Sequence, residues 1–289
     1  MDRVFVNITW KCQNCCPYCW HRLTEKGLQV ADGYLPIEPD KTEDEWISAL
    51  NKLQPACFDF VGGEPFLKDM AQLCSSLDKK HRYAITSNLK SDMVENFSDN
   101  VKPDNCVVIT GSYHPHSDFS EKEMLNKLLL LRQAGFPICV NIVDHPSIKS
   151  KEEIKAFFDE YSIKANISPY EDCHDLYIKR KKQVLFCDGG LCNYVINNNG
   201  DAYRCLTWFR FVAGYPEKSI VNKIRYNFLF RKGYLGNVFD GSFKKYKKRK
   251  RCAIFCEWKN VVDPTNSMVE DLNIRTLKEE RLKTSIFIR

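Results

Sequence analysis

The sequence predicts an α/β protein: an open, partial (β/α)6 TIM-like barrel followed by a small cysteine-rich region. Three observations predict it. Over the first 168 residues, short β-rich runs alternate with helical stretches, the pattern of parallel strands joined by helical crossovers. Six such strands fall short of a closed eightfold barrel, which takes about 250 residues on its own. From about residue 186 the texture turns irregular and rich in Cys and Gly, which divides the 289 residues into a barrel at 1–185 and a smaller region at 186–289.

The strand candidates are Val4–Thr9, Cys57–Val61, Tyr83–Thr86, Cys106–Gly111, Ile138–Val143 and Lys164–Ser168. Between them lie helical stretches at Glu43–Leu53, Leu67–Lys79, Met93–Phe97, Glu121–Gln133 and Lys151–Glu160. Two helices carry start signals. Thr42 precedes a Glu-rich first turn, and Ser120 stands three residues before Glu123 as in a capping box. Gly135 then ends the helix that carries Leu125, Leu128, Leu129 and Leu131. In parallel α/β folds the chemistry sits at the carboxyl ends of the strands. The segments Cys12–Cys19, Gly62–Pro65, Ser87–Asn88 and Ser112–Pro115 each follow a strand candidate directly, so they are expected at one mouth.

Composition narrows the class. The chain opens MDRVFVNITW with no basic segment leading into a long apolar one, and no apolar run nears the roughly 20 residues that span a bilayer. A cytoplasmic protein without a membrane partner is expected. Fourteen cysteines in a reducing compartment are read as metal or redox sites where clustered, and as packing where scattered (Cys57, Cys74, Cys106, Cys139, Cys173). A net charge of +6 tolerates an anionic partner without demanding one.

WKCQNCCPYCWH, residues 10 to 21, places Cys12, Cys16 and Cys19 in a C-x3-C-x2-C spacing with Tyr18 before the last. Three thiolates on a short loop can hold three irons of a [4Fe–4S] cluster and leave the fourth open. Zinc held by the same thiolates and His21 is the alternative. The spacing, the aromatic residue and the place after the first strand resemble the radical S-adenosylmethionine (SAM) superfamily. Cys15 is an extra thiol outside that pattern and is taken as a non-ligand. FVGGEPFL, after the second strand, looks like the superfamily's GGE motif, which implies Gly62, Gly63 and Glu64 as contacts to the SAM amino group. A Gly pair lets backbone carbonyls come close, and a carboxylate offsets the ammonium charge. The resemblance extends to strand ends three and four, where Ser87, Asn88 and Ser112 become candidate contacts to the SAM carboxylate and ribose. His114, held between Tyr113 and Pro115 at a strand end, is the candidate to face the substrate and move a proton.

The second region holds CDGGLCNYVINNNGDAYRC, read as a hairpin around Asn-Asn-Gly, then YLGNVFDG, a basic run, and CAIFC. Cysteines flanking a hairpin plus a distant close pair resemble the SPASM/twitch extension of radical SAM enzymes. A full SPASM region carries seven cysteines, and only five follow residue 186 here. One auxiliary [4Fe–4S] cluster is therefore implied, on Cys187, Cys205, Cys252 and Cys256, with Cys192 as the spare thiol. A zinc ribbon is again the alternative. The basic run Phe243–Arg251 reads as a solvated segment or a rim for an electron-donor protein rather than a nucleic-acid stripe.

What the resemblance implies is an enzyme that takes one electron from a flavodoxin- or ferredoxin-type donor, splits SAM to a 5′-deoxyadenosyl radical and abstracts hydrogen from a C–H bond. The first strand begins within a few residues of Met1, leaving no room for a leader-recognition domain. A small polar metabolite, sugar- or aminocyclitol-like, is thus the expected substrate, with a peptide as the alternative. The competing class is a zinc-stabilised nucleic-acid-binding module, which offers no reason for Gly62–Glu64 at a strand end.

Overall fold

The computed structural model describes residues 1–14, 16, 18–19, 21–24, 27–30, 33–35, 39–115, 118–145, 148, 150–169, 185–187, 189–205, 209, 233–248 and 250–252. The expectations for Cys15, Cys173 and Cys256 fall outside these residues.

In chain order, β1 (Asp2–Thr9) is followed by β2 (His21–Thr24), β3 (Gly27–Val30) and β4 (Gly33–Leu35). The alternating part then runs α1 (Glu43–Asn51), β5 (Ala56–Gly62), α2 (Met70–Ser75), β6 (Arg82–Ser87), α3 (Met93–Asn100) and β7 (Cys106–Tyr113). It continues with α4 (Glu121–Gln133), β8 (Ile138–Asp144), α5 (Lys151–Glu160) and β9 (Ala165–Pro169). The second region supplies β10 (Leu185–Cys187), β11 (Asn193–Ile196), β12 (Asp201–Tyr203), β13 (Tyr234–Asn237) and β14 (Lys250–Cys252).

Strands β1, β5, β6, β7, β8 and β9 lie side by side in that order and pair in parallel, as six strands joined by helical crossovers must. Both capping boxes form. The Thr42 side chain accepts from the Glu45 amide while Glu45 accepts from the Thr42 amide, and Ser120 and Glu123 do the same for α4. At the far end of α4 the Gly135 amide donates to Arg132 and the Phe136 amide to Leu131. The helix predicted over 67–79 is shorter. A 3-10 turn occupies Pro65–Leu67, and Asp69, accepting from the Gln72 amide, starts α2 afresh at Met70.

Register fixes which residues share a face, because directly paired residues of a parallel sheet point the same way. One face, with Val6, Phe60, Ile85, Ile109 and Val140, packs against Trp46, Leu73, Phe97 and Leu128 of the helices as the main core. The other face is the barrel lumen. It carries a row Asn7, Val61, Thr86, Thr110 and Cys139, with Ser112, Asn141 and Asn166 in the row nearer the mouth. Arg3 and Asp59 close the floor with a 2.7 Å ion pair.

The second region does not stand apart from this sheet. Strand β11 pairs in parallel with β1 on its free edge, and β12 and β13 follow antiparallel, giving nine strands in one sheet. The predicted hairpin is the β11–β12 pair. Separate from it, β2–β4 form a three-stranded sheet and β10 pairs antiparallel with β14. Among the described residues no helix is long and apolar enough to cross a membrane.

Candidate functional site: a cysteine loop at the barrel mouth

Cys12 follows β1 directly, and the polypeptide before it is held from two sides. Thr9 accepts at its carbonyl from the Gly63 amide at 2.8 Å, and Lys11 accepts from the Glu64 amide at 2.7 Å. This close approach explains the two glycines. A Cβ on Gly63 would lie 2.1 Å from the Lys11 carbonyl oxygen, and Gly62, at φ +125°, would place one 2.4 Å from that of Thr9. The cysteine loop and the Gly-Gly segment therefore meet backbone to backbone.

Within the loop, Cys12 and Cys19 are exposed while Cys16 and Tyr18 are buried. The Cys19 amide donates to the Cys16 carbonyl, closing a turn. The Cys12 sulfur already receives two donors, the Asn14 amide at 3.4 Å and the Asn88 side-chain amide at 3.8 Å. Partial desolvation nonetheless pushes its thiol up to about 11, with Glu64 and Cys19 adding to the rise and the Asn14 amide opposing it. Such a thiol keeps its proton at neutral pH unless a metal displaces it. Among the described residues no three Cys, His, Asp or Glu side chains are gathered tightly enough to enclose a single metal ion. Three thiols on one loop, with amide donors on the Cys12 sulfur, are a ligand set that an iron–sulfur cluster can take.

Glu64 is 1% exposed and accepts from Ser87 Oγ at 2.6 Å, the Asn88 amide at 2.8 Å and the Phe66 amide at 3.0 Å. Burial raises its pKa against the pull of those three donors. Its carboxylate thus clips the Gly-Gly segment to the end of β6, and Ser87, also accepting from the Leu89 amide at 2.8 Å, belongs to the same clip. Asn88 faces the cysteines: its Oδ1 accepts from Gln13 at 3.4 Å while its amide reaches Cys12. Ser112 lies in the lumen row beside Asn141 and is half-buried.

His114 meets Tyr18, whose hydroxyl lies 3.0 Å from His114 Nδ1. A second histidine, His145, packs its ring 5.1 Å from that of Tyr18. Sequence reasoning singles out His114 and passes over His145, although His145 directly follows β8, the same strand-end position that marks His114. So Cys12, Cys16, Cys19, Tyr18, Gly62, Gly63, Glu64, Asn88 and His114 come together at one mouth, as the strand order requires.

The second set of cysteines is partly in view. Cys187 pairs with Lys250 and Leu185 with Cys252, so Cys187 and Cys252 lie two register steps apart on neighbouring strands. Cys205 lies two residues beyond the end of β12, and Cys192 lies one residue before β11, the strand that pairs with β12 at Val195 and Tyr203. Cys192 accepts from the Arg3 amide at 2.8 Å and is half-buried, as is Cys205. The Gly-Asn turn closes this region. Asn237 Nδ2 donates to the Asn199 carbonyl at 2.9 Å and to Asp201 at 3.0 Å. From the basic run, the Tyr246 amide donates to the Gly190 carbonyl, the Lys244 amide donates to Leu235 of β13, and Lys245 pairs with Asp2 of β1.

No protein-family model and no curated sequence matches the chain. Its fold does match solved structures. Native anSMEcpe with bound AdoMet and the Cp18Cys peptide aligns with a TM-score of 0.52 at 12% identity, covering 90% of this chain and 87% of that one. Native anSMEcpe with bound AdoMet alone gives 0.52 at 14%, covering 83% and 78%. Streptococcus suis SuiB bound to precursor peptide SuiA gives 0.53 at 14%, covering 84% and 64%. This chain, a parallel half-barrel with a cysteine turn after its first strand, thus shares its fold with anSMEcpe and SuiB.

Proposed function

We propose that the chain is a radical SAM enzyme acting on a C–H bond of a small polar metabolite, sugar- or aminocyclitol-like. The observation that carries the proposal is the interlock of Cys12, Gly63 and Asn88, which joins three strand ends around a thiol turn. When bound, the [4Fe–4S] cluster on Cys12, Cys16 and Cys19 supplies the electron that splits SAM into methionine and a 5′-deoxyadenosyl radical. A flavodoxin- or ferredoxin-type protein is the proposed donor of that electron.

The chain's own part is to bind, orient and exclude water. The Gly62–Gly63 segment would offer backbone carbonyls to the SAM amino group, with the Glu64 carboxyl beside them. Asn88 donates to the Cys12 sulfur, and Ser112 offers a hydroxyl to the ribose or carboxylate. His114, oriented by the Tyr18 hydroxyl, is placed to take or give a proton at Nε2. The lumen supports a small polar substrate: above the Arg3–Asp59 pair, its described wall consists of amides, hydroxyls and small apolar groups. Asn7 Nδ2 and Asn166 Nδ2 are buried there without a partner, donors that suit acceptor oxygens.

One auxiliary cluster is proposed on Cys187, Cys205, Cys252 and Cys256. Cys192, the spare thiol of this region, is the competitor for a ligand place, and single Cys→Ala variants with iron counting decide between Cys192 and Cys256. A peptide is the second reading for the substrate, favoured by the peptides held in the anSMEcpe and SuiB structures. The deciding experiment is deuterium transfer into 5′-deoxyadenosine from labelled compounds. Transfer from a neutral polyol or aminocyclitol supports the first reading. Transfer from a peptide alone replaces it, and zinc-loaded protein without SAM cleavage removes both.

A further inference from the structure

Trp10 lies two residues before Cys12, yet its side chain belongs to the other end of the chain. Its indole Nε1 donates to Asn197 Oδ1 at 2.8 Å across 187 positions, both groups buried. Its ring lies parallel to that of Phe209, with centroids 5.9 Å apart and an interplanar angle of 5°. The Phe209 amide in turn donates to the Cys205 carbonyl at 3.0 Å, and its ring packs 5.4 Å from Tyr203. A second tie runs parallel to the first. Asp40 accepts from Thr9 Oγ1 at 2.9 Å, from Lys11 at 3.5 Å and from the Asn198 side chain at 3.4 Å. The opposite side of Thr9–Lys11 is the one pinned by the amides of Gly63 and Glu64.

The three residues before Cys12 are therefore shared between the Gly-Gly segment and the hairpin turn Asn197–Gly200, and Trp10 leads through Phe209 to the backbone of Cys205. Ordinary packing needs neither a directional N–H bond nor coplanar rings at one residue. Both fall where the two cysteine regions meet.

We propose that Trp10, Asn197 and Phe209 are positioning residues that couple the two cysteine regions, so that the first loop and the turn carrying Cys205 hold each other in cluster-binding geometry. The inference rests on the function proposed above and adds that neither site is set independently. It is tested in the full-length chain, in a background where Cys12, Cys16 and Cys19 are all replaced by Ser, so that only the second site can hold iron.

After anaerobic reconstitution with iron and sulfide, the background protein should carry about four irons and the EPR spectrum of one reduced cluster. Adding Trp10→Ala should halve that iron or shift the spectrum, although Trp10 lies on the other site's loop. Trp10→Phe, which keeps the ring stack but loses the bond to Asn197, should hold iron at a level between the background protein and Trp10→Ala. Phe209→Leu, which keeps an apolar side chain without the stack, should behave like Trp10→Ala, and far-UV circular dichroism confirms that each variant folds. Full iron with an unshifted spectrum in both Trp10→Ala and Phe209→Leu overturns the coupling while leaving the proposed function intact. A background protein that takes up no iron while the unmutated chain does removes the auxiliary cluster, and the coupling with it.

Discussion

Replacing Gly63 with alanine perturbs the contact on which the mouth depends. The new methyl would lie 2.1 Å from the Lys11 carbonyl oxygen and 2.6 Å from the carbonyl carbons of Trp10 and Lys11. All three are backbone atoms, so no side chain can swing aside, and the segments must separate by about 1 Å to restore a van der Waals contact. That separation breaks the Gly63–Thr9 and Glu64–Lys11 hydrogen bonds at 2.8 and 2.7 Å. At about 1 kcal/mol each, with a further cost for the polar groups left buried, the loss comes to roughly 2–3 kcal/mol. For a chain of this size that is a melting temperature lower by roughly 3–5 °C. The first cluster should go with it, leaving about four irons per chain instead of about eight after reconstitution. Gly241→Ala is the control. Gly241 has φ +78° with nothing within 4 Å of its Cβ position, so it should cost only about 1 kcal/mol of backbone strain and no iron. A Gly63→Ala protein with full iron and the parent melting temperature would refute the reasoning.

Other perturbations separate binding, proton handling and packing. Tyr18→Phe removes the hydroxyl 3.0 Å from His114 Nδ1; iron content should hold while product formed per SAM cleaved falls, as measured by chromatography of 5′-deoxyadenosine against product. Asn7→Leu should raise stability by about 1 kcal/mol by removing an unpartnered buried amide, and should weaken substrate-dependent turnover. Asp59→Asn should cost about 2–3 kcal/mol in denaturant melts, since it removes the negative charge facing Arg3 at the lumen floor, and Arg3→Met with Asp59→Leu should recover most of that. Glu45 and Glu123 have carboxyl pKa values held below the usual range, first by the amides of Thr42 and Ser120. The stability they add is present above the ordinary Glu value and lost as pH falls through the lowered one. Glu45→Gln with Glu123→Gln should therefore flatten the loss of melting temperature between about pH 5 and pH 3.

The six parallel strands are legible because strands covered on both faces read as nearly continuous apolar runs, as in CVVITG and ICVNIV. The capped helices are legible because Thr42–Glu45 and Ser120–Glu123 are local signals. What is not legible is non-local or weakly patterned. Nothing near Asn193–Ile196 announces that it will pair with β1, some 190 residues earlier, and the sheet β2–β4 is made of short strands in a polar stretch with no clear alternation. Motif spacing locates the cysteine loop, the glycines and His114. It does not reveal that Glu64 and Ser87 spend their hydrogen bonds on each other and on nearby amides, or that Trp10 reaches Asn197, because those facts depend on which strand ends the sheet brings together.

The central claim is that the turn bearing Cys12, Cys16 and Cys19 holds a cluster that cleaves SAM. Anaerobically reconstituted protein given SAM and dithionite tests it most directly, with 5′-deoxyadenosine quantified beside metal content. The expected result is a brown protein with about eight irons per chain that forms 5′-deoxyadenosine, and no product once Cys16 is alanine. A colourless protein holding stoichiometric zinc and forming no 5′-deoxyadenosine would contradict it.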